Sequence, residues 1–333
     1  MYTDEDLYKA VKEGVFEASA VDKFRELMAA QASTKSVDEE NFRLISGFND
    51  IFVSISSFIL MLSAGWVSSQ VTPVLGFLVV AVLSWLLSLF FVNKRRLALP
   101  AILLLISFVG SSVAFIVSLF TVFKLDVDIA ALIASGAGVL AAWAHWKKFH
   151  VPITVAAGMA SLLAFVLVLL SKIEHFGEMI PFFVFVGGLF TFALAMRWDA
   201  KDTQRTTRSS DVAFWLHLLS APLIVHPVFT MLGILKGASS LLSIAVVILI
   251  YVFLATISIA TDRRALMVSS LIYVLYAFQK LFNAYGMVSS SLAVSGIFIG
   301  SILLLLSAFW HKSRVVVFKM VPARFIKYLP PIN

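Results

Sequence analysis

The chain has 333 residues, of which 60% are hydrophobic and only 14% charged, with a mean hydropathy of +0.97. Soluble domains carry roughly 25% charged residues, so this composition excludes an ordinary globular enzyme: water could not solvate so much apolar surface, whereas lipid can. The lack of cysteine excludes disulfides, thiolate metal sites and cysteine nucleophiles. The net charge of +7 does not point to nucleic acid, because the basic residues sit in short loops at helix ends, where they orient a protein in a bilayer.

Residues 1–47 are acid-rich and lack the pattern of a signal peptide, so the first apolar stretch, from Phe48, reads as a retained helix. Thr3 with Asp6 and Ser19 with Asp22 have the spacing of helix N-caps followed by an acid three residues on. Gly14 is placed to stop the first helix. Leu7 and Val11, then Val21, Phe24, Leu27 and Met28, give each helix one apolar stripe. This hairpin is too short to bury a core alone, which predicts packing on the membrane surface, on cytoplasmic loops or on a partner protein. Ser36 with Glu39 starts a third, lead-in helix.

Ten apolar runs near 20 residues follow: 48–67, 71–92, 98–120, 128–146, 151–171, 179–198, 212–233, 239–260, 264–284 and 290–310. Each is long enough to cross a hydrocarbon core of about 30 Å. The Ala- and Gly-rich run 128–146 is kept separate because Asp128 and Lys147-Lys148 bound it, and merging it would strand those charges in lipid. The prediction is an all-α, polytopic helix bundle of about ten spans. With the N-terminus inside, 22 of the 26 Lys and Arg fall on the cytoplasmic side, leaving Lys124, Lys172, Lys236 and Lys280 on or near the outer one. Trp143, Trp146, Trp198, Trp215 and Trp310 at inner helix ends, with Trp66 at an outer one, suit an interfacial belt. Residues 311–333 form a basic tail whose stretch from Val315 to Tyr328 mixes Val, Phe and Ile with Lys and Arg. It suits the cytoplasmic headgroups and is stopped by Pro330-Pro331.

Three places resemble bacterial multi-pass proteins of domain-of-unknown-function family 2157. They are the opening Leu7-Tyr8-Lys9-Ala10-Val11-Lys12-Glu13-Gly14 with Ala18-Ser19-Ala20-Val21; the first span, leaving Gly47 and ending in Ala64-Gly65-Trp66; and the closing Tyr328-Leu329-Pro330-Pro331. The resemblance implies a membrane-embedded helical plan and supplies no activity.

The pattern carries no nucleotide or metal motif, so no cofactor and no metal is expected. The acids sit in loops, in the N-terminal segment or at helix ends, apart from Asp50 just inside the first span. No acid pair, His–acid dyad or nucleophile–base pair is apparent, and a catalytic site is not expected. The most suggestive set lies in the seventh and ninth spans. Pro222 sits mid-span, where it frees a carbonyl and bends the helix. His217 and His226 are nine residues apart and point to opposite faces, which argues against a shared metal ion. Tyr273, Tyr276, Gln279, Lys280 and Asn283 follow one face of the ninth span, at the depth of His226.

These groups either line an outward-facing polar pocket, with Lys280 attracting an anion, or Lys280 snorkels to the interface while the others bond between helices. Ala130, Ala134, Gly138 and Ala142, and the pair Gly296 and Gly300, are small-residue stripes that fit the inside of a monomer or the seam of a homo-oligomer. The cytoplasmic turns resemble one another without marking two inverted halves. Three classes remain: a non-enzymatic scaffold, sensor or envelope component of the inner membrane; a small-solute transporter; and, least supported, a lipid-acting enzyme.

Overall fold

The computed structural model describes residues 10–17, 19–21, 23, 48–203, 205, 207–233, 241–284, 291–322, 326 and 328–331; within these helices, side chains at 241–244, 265, 269–270, 272, 280–281, 283–284 and 291–292 are outside the description. The chain divides into two compact units, Met1–Asn41 with Asn333, and Phe42–Ile332.

In the first unit, the described stretch from Ala10 is helical and stops at Gly14, whose φ of +72° is available to glycine without a Cβ penalty. The Gly14 amide donates to the Val11 carbonyl at 3.1 Å and the Val15 amide to the Ala10 carbonyl at 2.9 Å, the paired bonds of a Schellman stop. The rest of the expected hairpin and the lead-in helix lie outside the described residues.

The second unit is all-α. Its helices are α1 (Phe48–Ser69), α2 (Pro73–Phe91), α3 (Ala98–Val122), α4 (Val127–Phe149), α5 (Ile153–Leu170), α6 (Phe176–Asp199), α7 (Arg208–Met231), α8 (Leu241–Thr261), α9 (Ala265–Ala284), α10 (Ser291–Ala308) and α11 (Trp310–Met320). Each of the ten expected runs coincides with one helix from α1 to α10. Among the described residues, the seven helices α1 to α7 are long and apolar enough to cross a membrane. The pair α10–α11, bent by 82°, makes an eighth candidate. The chain is therefore a membrane protein by the length and composition of its helices.

Local chemistry sets the helix starts. Thr72 caps α2, its hydroxyl accepting from the Val74 amide at 3.1 Å, with Pro73 at the first helical position, where no amide is needed. The Asp126 carboxylate accepts from the amides of Asp128 and Ile129 at 2.8 and 3.0 Å, and these bonds hold its pKa below the usual carboxylate value. Asp128 itself pairs with Lys172 across an exposed turn, so the start of α4 and the end of α5 share one end of the bundle.

Packing combines apolar clusters with close backbone approach. The Ala130, Ala134 and Ala142 positions of the stripe on α4 are buried, so this stripe packs inside the monomer. Gly296 and Gly300 behave differently: nothing lies within 4 Å of where a Cβ would sit, so this pair is not a packing seam within the described chain. Gly188 on α6 makes the closest approach to another helix's backbone among the described glycines. A Cβ there would stand 2.7 Å from the Leu223 carbonyl carbon and 2.9 Å from the Ile224 nitrogen, so only glycine lets α6 reach the α7 backbone beside Pro222. The helix α7 is continuous through Pro222 and Pro227, and more of it is buried than of any of the six helices before it.

Candidate functional site

The site lies where α6 ends, α7 begins, α8 turns into α9 and α11 begins. Asp199 is the last residue of α6, at the negative end of the helix dipole, where an acid is disfavoured unless cations meet it. Two groups do. The Arg263 guanidinium donates to Asp199 Oδ1 from Nη2 at 2.6 Å and from Nε at 3.1 Å. His217, one helical stretch into α7, places Nε2 2.7 Å from Asp199 Oδ2. A carboxylate only accepts, so Nε2 carries the proton and donates it. Nδ1 of His217 is buried and has no hydrogen-bond partner among the described residues, leaving it as the basic nitrogen of the ring. Arg263 also donates to the carbonyl and the hydroxyl of Ser210 at 3.0 and 2.8 Å, which ties the start of α7 to the α8–α9 turn.

A second carboxylate organises the neighbouring half. Asp262 sits at φ +57°, the left-handed stop after α8, a conformation that short polar residues tolerate. Its Oδ1 accepts from the Trp310 indole nitrogen at 2.7 Å. Its Oδ2 receives Arg205 and Arg314, each at 3.2 Å. Trp310 and Arg314 are one turn apart on α11 and so aim from the same face. Arg205, also left-handed at φ +56°, donates Nη2 to the carbonyls of Thr261 and Asp262, both at 2.8 Å. Arg314 continues the chain of bonds to the Pro330 carbonyl at 3.1 Å, which fixes the end of the tail. In the turn between α6 and α7, Asp202 accepts from the amide and hydroxyl of Thr207 at 2.7 and 2.6 Å, and Thr207 in turn caps α7.

These charges are withdrawn from water. Asp199, Asp202, Asp262, Arg205, Arg263 and Arg314 are all 7% exposed or less. Burial pushes the Arg205 guanidinium down to about 10, with Arg263 and Arg314 adding to the shift and Asp262 and Asp199 opposing it; it remains charged at neutral pH. Taking ions out of water costs several kcal/mol each, on the order given for paired groups in proteins, and is offset only where geometry and hydrogen bonds are good. Here every carboxylate oxygen of Asp199 and Asp262 meets at least one donor. Two left-handed residues that are not glycine, Arg205 and Asp262, face each other in this network, a concentration of strain that surrounding structure must hold in place.

Several expectations need correction. A His–acid dyad exists, His217–Asp199, although the sequence pattern shows none. It was hidden because 18 residues and a turn separate the partners. Trp310, grouped with the interfacial belt, is buried and bonded to Asp262. Arg205, Arg263 and Arg314, counted among the Lys and Arg that orient the bundle, are buried ion-pair members. The signal that could have found them is the recurrence of Asp beside Arg in turns on the same side: Arg197-Trp198-Asp199, Asp202 with Arg205, and Asp262-Arg263-Arg264.

Of the residues expected to line a pocket between the seventh and ninth spans, the side chains of His226, Tyr276 and Gln279 are described. His226 is exposed, with its ring against Tyr273 at 5.9 Å; Tyr276 packs on Phe229 at 6.5 Å; and Gln279 is half-buried. The Lys280 and Asn283 side chains lie outside the described residues. The space between α7, α8 and α9 is an apolar seam lined by Val225, Phe229, Val247, Ile250, Tyr251 and Val274, too tight to admit water. Pro222 lies in a continuous helix beside Gly188. His217 and His226 do diverge, one fully buried and one exposed. Among the described residues, no three His, Asp or Glu side chains gather as metal ligands would.

Chemically, the arrangement can do two things. It can latch four helices and the tail together through ion pairs, and it can hold a proton on a buried imidazole next to a carboxylate. No hydroxyl among the described residues is bonded to the free ring nitrogen of His217. No protein-family model, no curated protein and no solved structure matches the chain.

Proposed function

We propose that the chain is a non-enzymatic, multi-pass protein of a bacterial inner membrane, with both termini in the cytoplasm, serving as a scaffold, sensor or envelope component. The observation that carries this reading is the ionic latch. It joins α6, α7, α8–α9, α11 and the Pro330 carbonyl into one block at the end where Lys and Arg collect. A block fixed in this way is a platform from which the cytoplasmic N-terminal segment and tail meet a protein partner. The Lys and Arg distribution supports the orientation. The convergence of the end of α6, the start of α7, the end of α8, the start of α9 and the start of α11 supports alternating spans. The test is affinity purification of the full-length chain from cells, compared with a chain lacking residues 1–35. A partner that co-purifies only with the full chain supports the reading; identical protein profiles overturn it.

The second reading, a small-solute transporter, is favoured by a specific observation: the buried Asp199–His217 couple at the base of the proline-containing helix α7 is a proton-binding pair in a membrane-spanning bundle. Reconstituted vesicles with an imposed pH gradient separate the two. Solute-dependent proton flux that His217→Gln abolishes selects the transporter, and no flux in either protein selects the scaffold.

A further inference from the structure

The two ends of the membrane unit present their charges differently. At the end away from the latch, Asp126, Asp128, Glu174 and Glu178 are exposed beside Lys124 and Lys172, and Lys172 is paired with Asp128. At the latch end the acids are withdrawn: Asp50, Asp199, Asp202 and Asp262 are buried and Asp211 is half-buried. Lys94, Arg95, Lys147, Lys201 and Lys312 are all exposed there. Burial of the acids therefore leaves a cationic rim, with no exposed carboxylate of the described membrane unit beside it.

These five cations share one end because the helix ends converge. Trp85, Leu89 and Val92, at the end of α2, pack with Phe149 and Val151 where α4 turns into α5. Trp146 of α4 and Trp198 of α6 pack on one cluster around Val212 and Leu216 of α7. Trp310, just past α10, bonds Asp262 of the latch.

Each cation also lies over an aromatic ring that precedes it by about one turn. Lys94 Nζ and the Arg95 guanidinium are both 5.8 Å from the centre of Phe90. Lys147 is 5.8 Å from Trp143, Lys201 5.0 Å from Trp198 and Lys312 5.4 Å from Phe309. Phe90, Trp143 and Phe309 are exposed at the ends of apolar helices, where a membrane places hydrocarbon against them. A ring at that boundary holds its cation at the level of the phosphates. A soluble acidic protein or a nucleic acid would instead be met by cations reaching out into water.

We infer that this rim binds the headgroups of anionic phospholipids in the leaflet at the latch end, with phosphate sites at Lys94 with Arg95, at Lys147, at Lys201 and at Lys312. The first is the strongest, because two cations share one ring and a guanidinium meets a phosphate through two parallel N–H donors. The inference needs only that the helices lie in a membrane, and it stands whether the protein is a scaffold or a carrier.

The experiment uses the full chain purified in mild detergent, with phosphatidylglycerol and phosphatidylcholine of identical acyl chains added in turn and bound lipid counted by native mass spectrometry. Phosphatidylglycerol is expected to be retained preferentially, and the preference to fall as salt is raised. Lys94→Gln with Arg95→Gln is expected to lower it by roughly five-fold for each cation removed. Adding Lys147→Gln, Lys201→Gln and Lys312→Gln is expected to erase it, and Lys124→Gln, at the other end, to leave it in place. Should the chain with all five changes fail to fold, the double variant still carries the test. Equal retention of the two lipids overturns the proposal, as does a preference untouched by the double variant, insensitive to salt or lost with Lys124→Gln alone. Displacement of the lipid by an excess of soluble glycerol phosphate would make a free phosphate the ligand and overturn it too.

Discussion

Two fully buried histidines, one in each half of the bundle, show how differently the halves are held. His145 on α4 bonds the Thr154 hydroxyl at 3.3 Å and is otherwise ringed by Phe149, Phe108 and Trp85, with centroids at 4.6, 6.0 and 6.3 Å. Among the described residues, no ion pair reaches it. His217 on α7 bonds the carboxylate of Asp199, which a buried arginine also holds. The first half of the membrane unit, α1 to α5, is assembled by aromatic and small-residue packing, which lipid neither helps nor opposes strongly. The second half adds charges at one end. Those charges bond in directions, so they select one arrangement of helix ends where apolar contacts alone would accept several.

The comparison can be broken most sharply at Arg263. Arg263→Ala leaves the buried Asp199 carboxylate with only the His217 ring as a side-chain donor, and a loss of about 3–5 kcal/mol is expected. Thermal unfolding in detergent measures it. The double variant Asp199→Ala/Arg263→Ala is expected to lose clearly less than the sum of the two single losses, because neither charge is then stranded. Additive losses would mean that the pair is not coupled and that the latch does not exist as described.

Gly188→Ala comes next, at about 1–3 kcal/mol, since the new methyl meets the Leu223 backbone at 2.7 Å and no side chain can move aside. The histidines then separate the halves directly. His217→Phe is expected to cost about 1–3 kcal/mol by leaving Asp199 Oδ2 without its donor. His145→Phe is expected to cost less than about 1.5 kcal/mol, because an aromatic ring of similar volume suits its neighbours. Equal costs would erase the distinction drawn between the two halves. The smallest effect is expected at Gly296→Ala, within about 0.5 kcal/mol, because the added methyl points into open space. A larger effect, with a change in sedimentation, would show that this face is covered by a second copy of the chain.

Much of the fold was legible because membrane helices obey a local rule. A run of about 20 apolar residues must hydrogen-bond its own backbone in lipid, so the ten runs and the observed helices α1 to α10 begin and end within a few residues of each other. The Gly14 stop was legible for the same reason: a left-handed residue after a helical stripe is a local demand on the backbone. The candidate site was not legible. The Lys and Arg pattern that orients a bundle reads a buried Arg263 and an exposed Lys147 alike, since both stand at helix ends on the same side. Interest in His226, Tyr276, Gln279, Lys280 and Asn283 rested on shared depth and shared face, and neither says whether the facing helix leaves space. Around Val225, Phe229, Val247 and Val274 the seam among α7, α8 and α9 is filled by apolar side chains, while the Lys280 and Asn283 side chains lie outside the described residues.

By itself, then, the sequence determined the solvent of this protein, its helices and the ends where charge collects, because each of those follows from contiguous residues meeting lipid or water. Only the tertiary structure decided which charges were to be buried together. Asp199 finds His217 after 18 residues and Arg263 after 64, and Asp262 finds Arg205 after 57 and Trp310 after 48. Such pairings depend on how helix ends converge, and that is set by close approaches such as that of Gly188 on α6 to the α7 backbone, a property of surfaces in contact that no single stretch of chain contains.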